Sequence, residues 1–432
     1  MLGRIAWLAS MLLFATSEGA QAAAHARELA ALEAQGFSVE RLGKLDAAMQ
    51  SLVDNKKLAG LVTVLARHGK IVEQRSYGYA DVASRKPMQK DTIVRIYSMT
   101  KPITGVAMMM LYEEGKWKPS DPISRYIPEF RDLKVYSGLD KDGKPMLDKP
   151  SHAPTMGELM SHSAGFTYGF FGSTPVDKLY QEAQLLNAAT LQEFIERVSK
   201  LPLLYQPGEG WVYSISVDIQ GYLVEKLSGK PFADFLRDRI FMPLGMKDTG
   251  FYVPVDKLER VASVYQSDIT EGASAMPKDP GISQPPGMPS GGGGLYSTAS
   301  DYLQFAQMVL NGGELNGVRV LAQSSIDLMR ANHLSDDVKN AKKFGIGLYQ
   351  MQPGLGFGYD FAILEEPLKL GSTAGRGTYL WDGIAGTWFW IDPANDLLFI
   401  GIVQRWLMAP GAPDLENLSR ALTYQALVSP SK

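Results

Sequence analysis

The 432-residue chain contains no cysteine. This absence excludes disulfide bonds, thiolate metal sites, iron–sulfur clusters and a cysteine nucleophile. Histidine is scarce as well: no two of the five histidines lie three or four residues apart, so no local histidine metal site is offered by one turn of helix. The 43 basic and 46 acidic residues give a formal net charge of −3, and no basic block stands out. The composition therefore gives no reason to expect nucleic-acid binding.

Long apolar runs are absent except at the start of the chain. Arg4 precedes an apolar stretch at residues 5–15, and Ala20-Gln21-Ala22 has the small-x-small pattern of a cleavage site. We therefore expect a signal peptide over residues 1–22. The run is too short to span a bilayer, and a membrane anchor or a buried N-terminal helix is the weaker alternative. The sequence predicts an exported protein, periplasmic or secreted, without stable membrane insertion after cleavage.

The remaining chain is typical of a globular protein, with 45% hydrophobic and 21% charged residues. Hydrophobic periodicity predicts helices and strands at both ends of the chain. The helices are predicted at residues 39–55, 102–114, 218–227 and 414–428, and the strands at residues 61–67, 70–78, 386–391 and 397–403. We expect one catalytic domain over residues 23–432. Its sheet subdomain takes about residues 39–97 and 295–428, and its helical and loop subdomain about residues 98–294.

One long irregular segment lies near the end of the helical part. Residues 270–294 contain five prolines and end in four consecutive glycines. A loop of this length inside a compact protein often forms a lid or the rim of a binding site. A plain surface linker is the alternative.

Several familiar hydrolase and nucleotide-binding patterns are missing. The chain has no Gly-x-Ser-x-Gly, which argues against the nucleophile elbow of the α/β-hydrolases. It also has no His-Glu-x-x-His, no P-loop and no Gly-x-Gly-x-x-Gly after a strand. We therefore expect neither a zinc protease nor a nucleotide-binding protein.

A Ser-x-x-Lys pattern opens one predicted helix, at Ser98-Met99-Thr100-Lys101. Positions i and i+3 share a helix face, so the lysine amine can reach the serine hydroxyl. The helix N-terminus stabilises negative charge that develops at the serine, and burial can lower the lysine pKa enough for it to act as a base. The pattern alone is weak, since it recurs at Ser429 and Lys432, where the chain ends.

A second candidate is Tyr213, which precedes another predicted helix. Its phenol can take or relay a proton if Lys101 lowers its pKa. An isolated buried tyrosine is otherwise a packing residue.

Taken in order, these segments resemble the serine β-lactamase and penicillin-binding protein superfamily. The resemblance rests on Ser98-x-x-Lys101, on Tyr213-Ser214, on Gly291-Gly292-Gly293-Gly294-Leu295-Tyr296-Ser297-Thr298 and on the segment from Tyr379 to Pro393. The last segment narrows it to the family VIII carboxylesterases, which are related to the class C β-lactamases. The likeness covers about residues 40 to 427.

The resemblance implies a β-lactamase/transpeptidase-like α/β (α+β) fold, an antiparallel sheet flanked by helices with a mainly helical region inserted. It implies acyl transfer on Ser98, with Lys101 and Tyr213 as shared base and no metal or organic cofactor. The backbone amides of Ser98 and Ile384 would form the oxyanion hole. Trp381, Asp382 and Gly383 would contact a small-molecule ester substrate.

Two departures from the class C pattern bear on the substrate. Ile215 stands where the class C enzymes have the asparagine of Tyr-x-Asn, and Trp381-Asp382-Gly383 stands where they have Lys-Thr-Gly. The loss of that lysine removes a charge that would bind a carboxylate, which favours neutral short-chain esters over β-lactams.

Other functions on the same fold stay open. They are β-lactam hydrolysis, D-alanyl-D-alanine carboxypeptidase or other amide hydrolysis, and a non-turnover cell-wall sensor that stays acylated. A Ser-His-Asp site around His162 is less favoured, because the sequence shows neither an elbow nor a third partner. We interpret Asp382 as a turn carboxylate rather than a charge at the edge of the site.

Overall fold

The computed structural model describes residue 30 and residues 32–270, 273–340 and 352–428. The predicted signal peptide and the second Ser-x-x-Lys sequence lie outside these residues. No helix among the described residues is long and apolar enough to cross a membrane.

An eight-stranded antiparallel sheet forms the centre of the molecule. Its strands are β1 (Gly60–Arg67), β2 (Lys70–Asp81), β3 (Lys86–Pro87), β10 (Leu355–Phe357), β11 (Ala362–Leu364), β12 (Tyr379–Asp382), β13 (Trp388–Asp392) and β14 (Leu397–Val403). The strand order is β10-β11-β12-β13-β14-β1-β2-β3, so that the N-terminal hairpin joins the C-terminal strands through the β14–β1 pair.

Three two-stranded sheets lie outside the large sheet. They pair β4 (Val94–Arg95) with β7 (Tyr296–Ser297), β5 (Val135–Leu139) with β6 (Pro145–Asp148), and β8 (Glu314–Leu315) with β9 (Val318–Arg319). The β4–β7 pair matters most for the site, because it ties the residues just before Ser98 to the segment that follows the glycine run.

A two-residue turn closes the hairpin of β1 and β2. His68 and Gly69 both have positive φ, at 52° and 68°. Two consecutive positive φ angles are those of a type I′ turn, whose twist matches that of the two strands. The His68 side chain contacts Asp396 at 2.8 Å, in the neighbouring turn between β13 and β14. His68 is therefore a residue of the turn between the two predicted strands.

Helices cover both faces of the sheet and fill the inserted region. They are α1 (Val39–Asp54), α2 (Thr100–Glu113), α3 (Met156–Met160), α4 (Pro175–Glu182), α5 (Leu191–Val198), α6 (Ser216–Ser228), α7 (Phe232–Leu236), α8 (Met242–Leu244), α9 (Ala299–Leu310), α10 (Gln323–Met329), α11 (Asp336–Asn340) and α12 (Leu415–Ala426). Short 3₁₀ helices lie at Tyr97–Met99, Ile123–Arg125, Pro128–Phe130, Leu185–Asn187, Val255–Arg260 and Pro367–Leu370, and a short π-helix lies at Arg237–Phe241.

Side chains of β13 point alternately to the two faces of the sheet and contact a helix on each face. The indoles of Trp388 and Trp390 both donate to the Ser419 hydroxyl on α12, at 3.0 and 3.1 Å. Phe389, between them, packs instead against Tyr302 of α9, with 5.3 Å between ring centroids. Successive side chains of a strand point to opposite faces, so α12 and α9 cover opposite sides of the sheet.

The inserted region packs around α2, which is buried along nearly its whole length and contacts α6. The predicted antiparallel sheet with flanking helices and a helical insertion is confirmed. Element ends differ slightly: α2 begins at Thr100, two residues before the predicted start, and α6 begins at Ser216. The described part of residues 270–294 contains neither helix nor strand, as predicted.

Gly401 on β14 supplies a test of this packing. It lies opposite Trp388, and a Cβ at Gly401 would come within 2.1 Å of the indole. We expect Gly401→Ala to lower the free energy of unfolding by about 1–3 kcal/mol, the usual cost of overpacking. Urea unfolding followed by tryptophan fluorescence measures the change.

The matched control is Gly43→Ala on α1, where nothing lies within 4 Å of the added atom. That variant should be neutral or slightly more stable, because alanine favours helix over glycine. A Gly401→Ala variant as stable as the parent would contradict the packing of the indole on β14.

Candidate active site

Ser98 lies in the single 3₁₀ turn that leads into α2. Tyr97, immediately before it, has φ of 44°, a left-handed backbone conformation that is costly for a tyrosine. The ring of Tyr97 is held on two sides, 4.8 Å from the Arg95 guanidinium and 5.8 Å from the Trp406 ring. These contacts maintain the strained turn, and Ser98 lines a cavity at the start of the helix.

Lys101 follows one helical turn later and is 1% exposed. Its Nζ lies 3.4 Å from Ser98 Oγ and donates to the Gly292 carbonyl at 2.6 Å and to the Tyr168 hydroxyl at 2.9 Å. Burial lowers the pKa of Lys101 to about 8, although the charges of buried aspartates oppose the shift. A lysine with this pKa is partly neutral near pH 7, so it can accept the proton of Ser98.

Tyr213 lies just before α6 and faces the same pair. The Lys101 Nζ lies 4.5 Å from the centroid of its ring. The Tyr213 hydroxyl interacts with the side chains of Ser98 and Trp381, which lower its pKa, but burial outweighs them and raises the pKa well above its usual value. The predicted lowering of the Tyr213 pKa is therefore wrong. The phenol is neutral and is suited to relaying a proton rather than resting as a phenolate.

The predicted oxyanion residues Ser98 and Ile384 line the same cavity. Close approach of the main chain makes this possible: a Cβ at Gly383 would lie 2.5 Å from the Ile96 carbonyl oxygen. Among the described residues, the carbonyl of Ile384 accepts from Leu407 at 2.8 Å, while its amide donates to no acceptor. The arrangement suits two amides that meet a substrate oxygen, and that role stays a prediction.

The three predicted substrate contacts lie beside the cavity rather than in its wall. Trp381 packs on Tyr213, with 5.3 Å between ring centroids, and it borders a neighbouring cavity together with Asp382. Gly383 packs on Ile96. Direct contact of these residues with a substrate stays a prediction, and Trp381 reaches the site through Tyr213.

Asp382 is not the turn carboxylate that we expected. It is the last residue of β12 and pairs with Trp388. Burial raises its pKa to about 7, Glu416 adds to the effect, and the positive charge of Lys101 opposes it. The turn interpretation was wrong because the strand continues to the glycine that follows.

His162 lies behind Tyr213, with 5.2 Å between ring centroids. Its Nδ1 accepts from the Ser214 amide at 3.2 Å and lies 3.0 Å from the Ser214 hydroxyl. Burial, with the charge of Lys101, lowers the pKa of His162 well below its usual value. The neutral ring fixes the segment that carries Tyr213, and none of its hydrogen bonds among the described residues reaches Ser98 or a carboxylate. This geometry does not support a Ser-His-Asp site.

Three further residues of the site, Tyr168, Asp218 and Gly292, were not predicted from the sequence. Tyr168 takes a hydrogen bond from Lys101 and donates to Asp218 Oδ2 at 3.3 Å. Asp218, fully buried, accepts from the Ser290 hydroxyl at 2.5 Å and the Gly292 amide at 3.1 Å. The four consecutive glycines indicated that Gly292 lies in a loop. No pattern in the sequence distinguished Tyr168 from the other tyrosines, of which the chain has 19 in all.

The cavity that contains Ser98 has a volume of about 460 Å³. Its walls are mostly aromatic or apolar, and they include Tyr168, Phe170, Phe171, Leu186, Phe251 and Met288. Arg95 and Asp279 are the charged residues of the described lining, and they lie 4.0 Å apart, so their charges largely compensate. Within the described ranges no group of three histidine or acidic side chains could hold a metal ion.

Comparison with known proteins agrees with this geometry. A family model described as beta-lactamase matches residues 45–422. The chain belongs to the β-lactamase family. Protein Rv1367c of Mycobacterium tuberculosis (strain ATCC 25618 / H37Rv) is 35% identical over 364 residues, which cover 83% of this chain and 88% of that protein. Esterase EstB of Burkholderia gladioli is 29% identical over 397 residues, which cover 85% of this chain and 92% of EstB.

A solved structure extends the likeness to the whole fold. EstCE1, described as a hydrolase with promiscuous acyltransferase activity, superposes with a TM-score of 0.73 at 25% identity, over 89% of this chain and 99% of its own. The β-lactamase/transpeptidase fold and the membership among family VIII esterases of the serine β-lactamase and penicillin-binding protein superfamily are thereby confirmed. At this level the protein is a serine hydrolase.

The buried lysine makes the reactivity of Ser98 depend on pH. Protonated Lys101 cannot accept the serine proton, so labelling of Ser98 by a fluorophosphonate should be slow below the lysine pKa and should rise through about pH 8 to a plateau. Intact-mass measurement of the labelled fraction over time gives the rate constant at each pH.

Lys101→Arg is the matched variant, because a guanidinium keeps the charge but does not lose its proton in proteins. It should label slowly throughout the range, and a thermal melt checks that it folds. A pH-independent rate in the parent would contradict a lysine base.

Proposed function

We propose that the protein is a serine carboxylesterase that hydrolyses short-chain carboxylic esters through an acyl-enzyme on Ser98. The observation that carries this proposal is the contact of Ser98 with a buried lysine of lowered pKa at the wall of an apolar cavity. A hydroxyl beside a partly neutral amine is the arrangement that an activated serine nucleophile requires.

The proposed acylation step uses the groups in contact at Ser98. As Ser98 Oγ attacks the ester carbonyl, its proton passes to neutral Lys101. The amides of Ser98 and Ile384 stabilise the negative charge on the carbonyl oxygen. Tyr213 then gives its phenolic proton to the leaving alcohol and regains one from Lys101. Water attacks the acyl-enzyme by the reverse proton path, which releases the acid and restores Ser98.

The proposed preference for neutral esters rests on the charges around the cavity. Trp381 stands where the family resemblance places the lysine of Lys-Thr-Gly, so this position supplies no cation for a β-lactam carboxylate. The guanidinium of Arg95 faces the carboxylate of Asp279. A substrate carboxylate would therefore meet no isolated positive charge among the described lining residues.

The cellular setting is also a proposal. We infer export to the periplasm or secretion from the apolar N-terminal run and its cleavage site, and a small-molecule ester rather than nucleic acid or membrane as the partner. EstB and EstCE1, which are named as an esterase and a hydrolase, support ester chemistry in this chain as well.

Substrate choice tests the proposal. We expect short-chain p-nitrophenyl esters to be hydrolysed with a higher kcat/KM than a chromogenic cephalosporin, because the cavity is apolar and offers no unpaired cation among its described residues. Steady-state release of p-nitrophenol over many equivalents per protein should accompany this preference. A burst of one equivalent would instead support an acylated sensor.

Ser98→Ala is the control for every substrate in the series. The chain contains no cysteine, so no thiol nucleophile can supply the remaining activity. A higher kcat/KM for the cephalosporin would replace the esterase proposal by a β-lactamase. Full ester hydrolysis by Ser98→Ala would contradict both the esterase and the β-lactamase assignment, since both use Ser98 as the nucleophile.

The proton path provides a separate prediction. Tyr213→Phe should lower kcat by at least ~100-fold, the lower end for general acid–base catalysis, because it removes the donor to the leaving alcohol. Lys101→Ala should be as severe, and the double variant little worse than the poorer single, since residues that act as a unit lose activity non-additively.

Steady-state kcat for both single variants and the double, with thermal melts as folding control, decides the point. If Tyr213→Phe keeps near-parental kcat while Lys101→Ala is inactive, Tyr213 has only a packing role and takes no part in the proton path. Loss of activity in a folded His162→Ala while Tyr213→Phe stays active would overturn the whole assignment.

A further inference from the structure

Beyond the acyl transfer just described, Lys101 is connected to a buried carboxylate that it does not touch. Its Nζ donates to the Gly292 carbonyl and the Tyr168 hydroxyl, and the Tyr168 hydroxyl donates in turn to Asp218. Both of these partners are neutral, and the negative charge of Asp218 lies one hydrogen bond further away.

The donors and acceptors present fix the direction of each hydrogen bond between Lys101 and Asp218. A carbonyl oxygen only accepts, so Gly292 must take one N–H of the lysine. The two oxygens of Asp218 receive three donors, the Ser290 hydroxyl, the Gly292 amide and the Tyr168 hydroxyl. Since the single phenolic hydrogen of Tyr168 goes to Asp218, the Tyr168 oxygen can only accept from Lys101.

These directions settle where the lysine lone pair points. A neutral amine has two N–H groups and one lone pair, and both N–H groups are taken by Gly292 and Tyr168. In the described part of the chain, the remaining hydrogen-bond partner of the amine is Ser98 Oγ, 3.4 Å from Nζ. The lone pair thus faces the hydroxyl whose proton it must accept.

We propose that Asp218, acting through the Tyr168 hydroxyl, fixes the direction of the hydrogen bonds at Lys101 and so aims the lysine lone pair at Ser98. The inference rests on the proposed function, in which Lys101 is the base. Asp218 and Tyr168 are positioning residues, since they act on the lysine and not on the substrate.

One isosteric change reverses the direction. In Asp218→Asn, the Gly292 amide and the Ser290 hydroxyl still require an oxygen at the Oδ1 position, which they contact at 3.1 and 2.5 Å. The new NH₂ group then faces Tyr168 and donates to its oxygen. The phenolic hydrogen of Tyr168 then points to Lys101 and is donated to the lone pair of its amine. That lone pair can no longer accept the proton of Ser98.

Removing the hydroxyl has a related effect. Tyr168→Phe leaves one lysine N–H without its acceptor and frees the amine to turn. The aromatic contacts of the ring with Phe170 and Tyr213, at 5.0 and 5.3 Å, are retained, so this variant should fold. Once Tyr168→Phe has been introduced, Asp218 has no hydroxyl through which to act.

The titratable groups that surround Lys101 determine what a pH profile will show. Asp218 is the largest of the charges that raise the Lys101 pKa, followed by Asp360 and Asp382, while buried His162 and Tyr213 are neutral. Asp218→Asn removes the largest of these charges, so the acid limb of the profile should move to lower pH. A merely structural role would lower the folded fraction and leave the limb in place.

The experiment measures kcat/KM against pH for one short-chain p-nitrophenyl ester, in Asp218→Asn, Tyr168→Phe and the double variant. We expect each single variant to lower the plateau at least about tenfold. Asp218→Asn, which removes the charge, should also move the acid limb to lower pH. The double variant should match the poorer single. Asp177→Asn and Tyr180→Phe, two buried sites whose side chains make no contact with Lys101, serve as controls and should keep the parental profile.

Three outcomes would overturn the proposal. They are a parental profile in Asp218→Asn, a lowered plateau without a shifted limb in Asp218→Asn, and a loss from Asp218→Asn that persists unchanged when Tyr168→Phe is already present. The last would mean that Asp218 acts through its charge alone. If Asp218→Asn does not fold, the Tyr168→Phe profile still decides. Failure of the proposed function is recognised separately, by ester hydrolysis that survives Ser98→Ala.

Discussion

The burial of Lys101 among neutral partners is the interaction on which the site depends. A buried ammonium is strongly disfavoured unless a carboxylate pairs with it. Here the direct partners are a carbonyl, a phenol and a hydroxyl, and burial without a carboxylate in direct contact lowers the pKa of the lysine. Direct contact with Asp218 would hold the proton on the lysine and remove the base. The intervening tyrosine keeps the carboxylate close enough to orient the amine without making an ion pair.

The fold brings this arrangement together from distant parts of the chain. Ser98 and Lys101 come from the start of α2, Tyr213 from the start of α6, and Gly292 from the loop before β7. Ile384 comes from the turn after β12. Their meeting depends on close contacts of the main chain: a Cβ at Gly292 would lie 2.6 Å from an Asp218 oxygen, and one at Gly383 would lie 2.5 Å from Ile96. The glycines are therefore required by these close approaches rather than by flexibility.

Local patterns in the sequence predicted the elements and the Ser–Lys pair, because both depend on spacing along one helix or strand. The strands predicted at residues 61–67 and 70–78 and the pairing of Ser98 with Lys101 are of this kind. Tyr168 and Asp218 could not be predicted, since their role arises from contact across 50 residues. The pKa of Tyr213 and the strand position of Asp382 were wrong for a related reason: the depth at which a side chain is buried is a property of the assembled fold.

The isoleucine at position 215 agrees with this arrangement of hydrogen bonds at Lys101. This position is 1% exposed and apolar, and it stands where the class C enzymes have an asparagine. An isoleucine side chain offers the site no hydrogen bond. Lys101 donates to Tyr168, and a phenol whose hydrogen goes to a carboxylate can only accept from the lysine. An amide in the place of this phenol would allow two hydrogen-bond directions, whereas the phenol allows one, so the lysine amine is held in a single orientation toward Ser98.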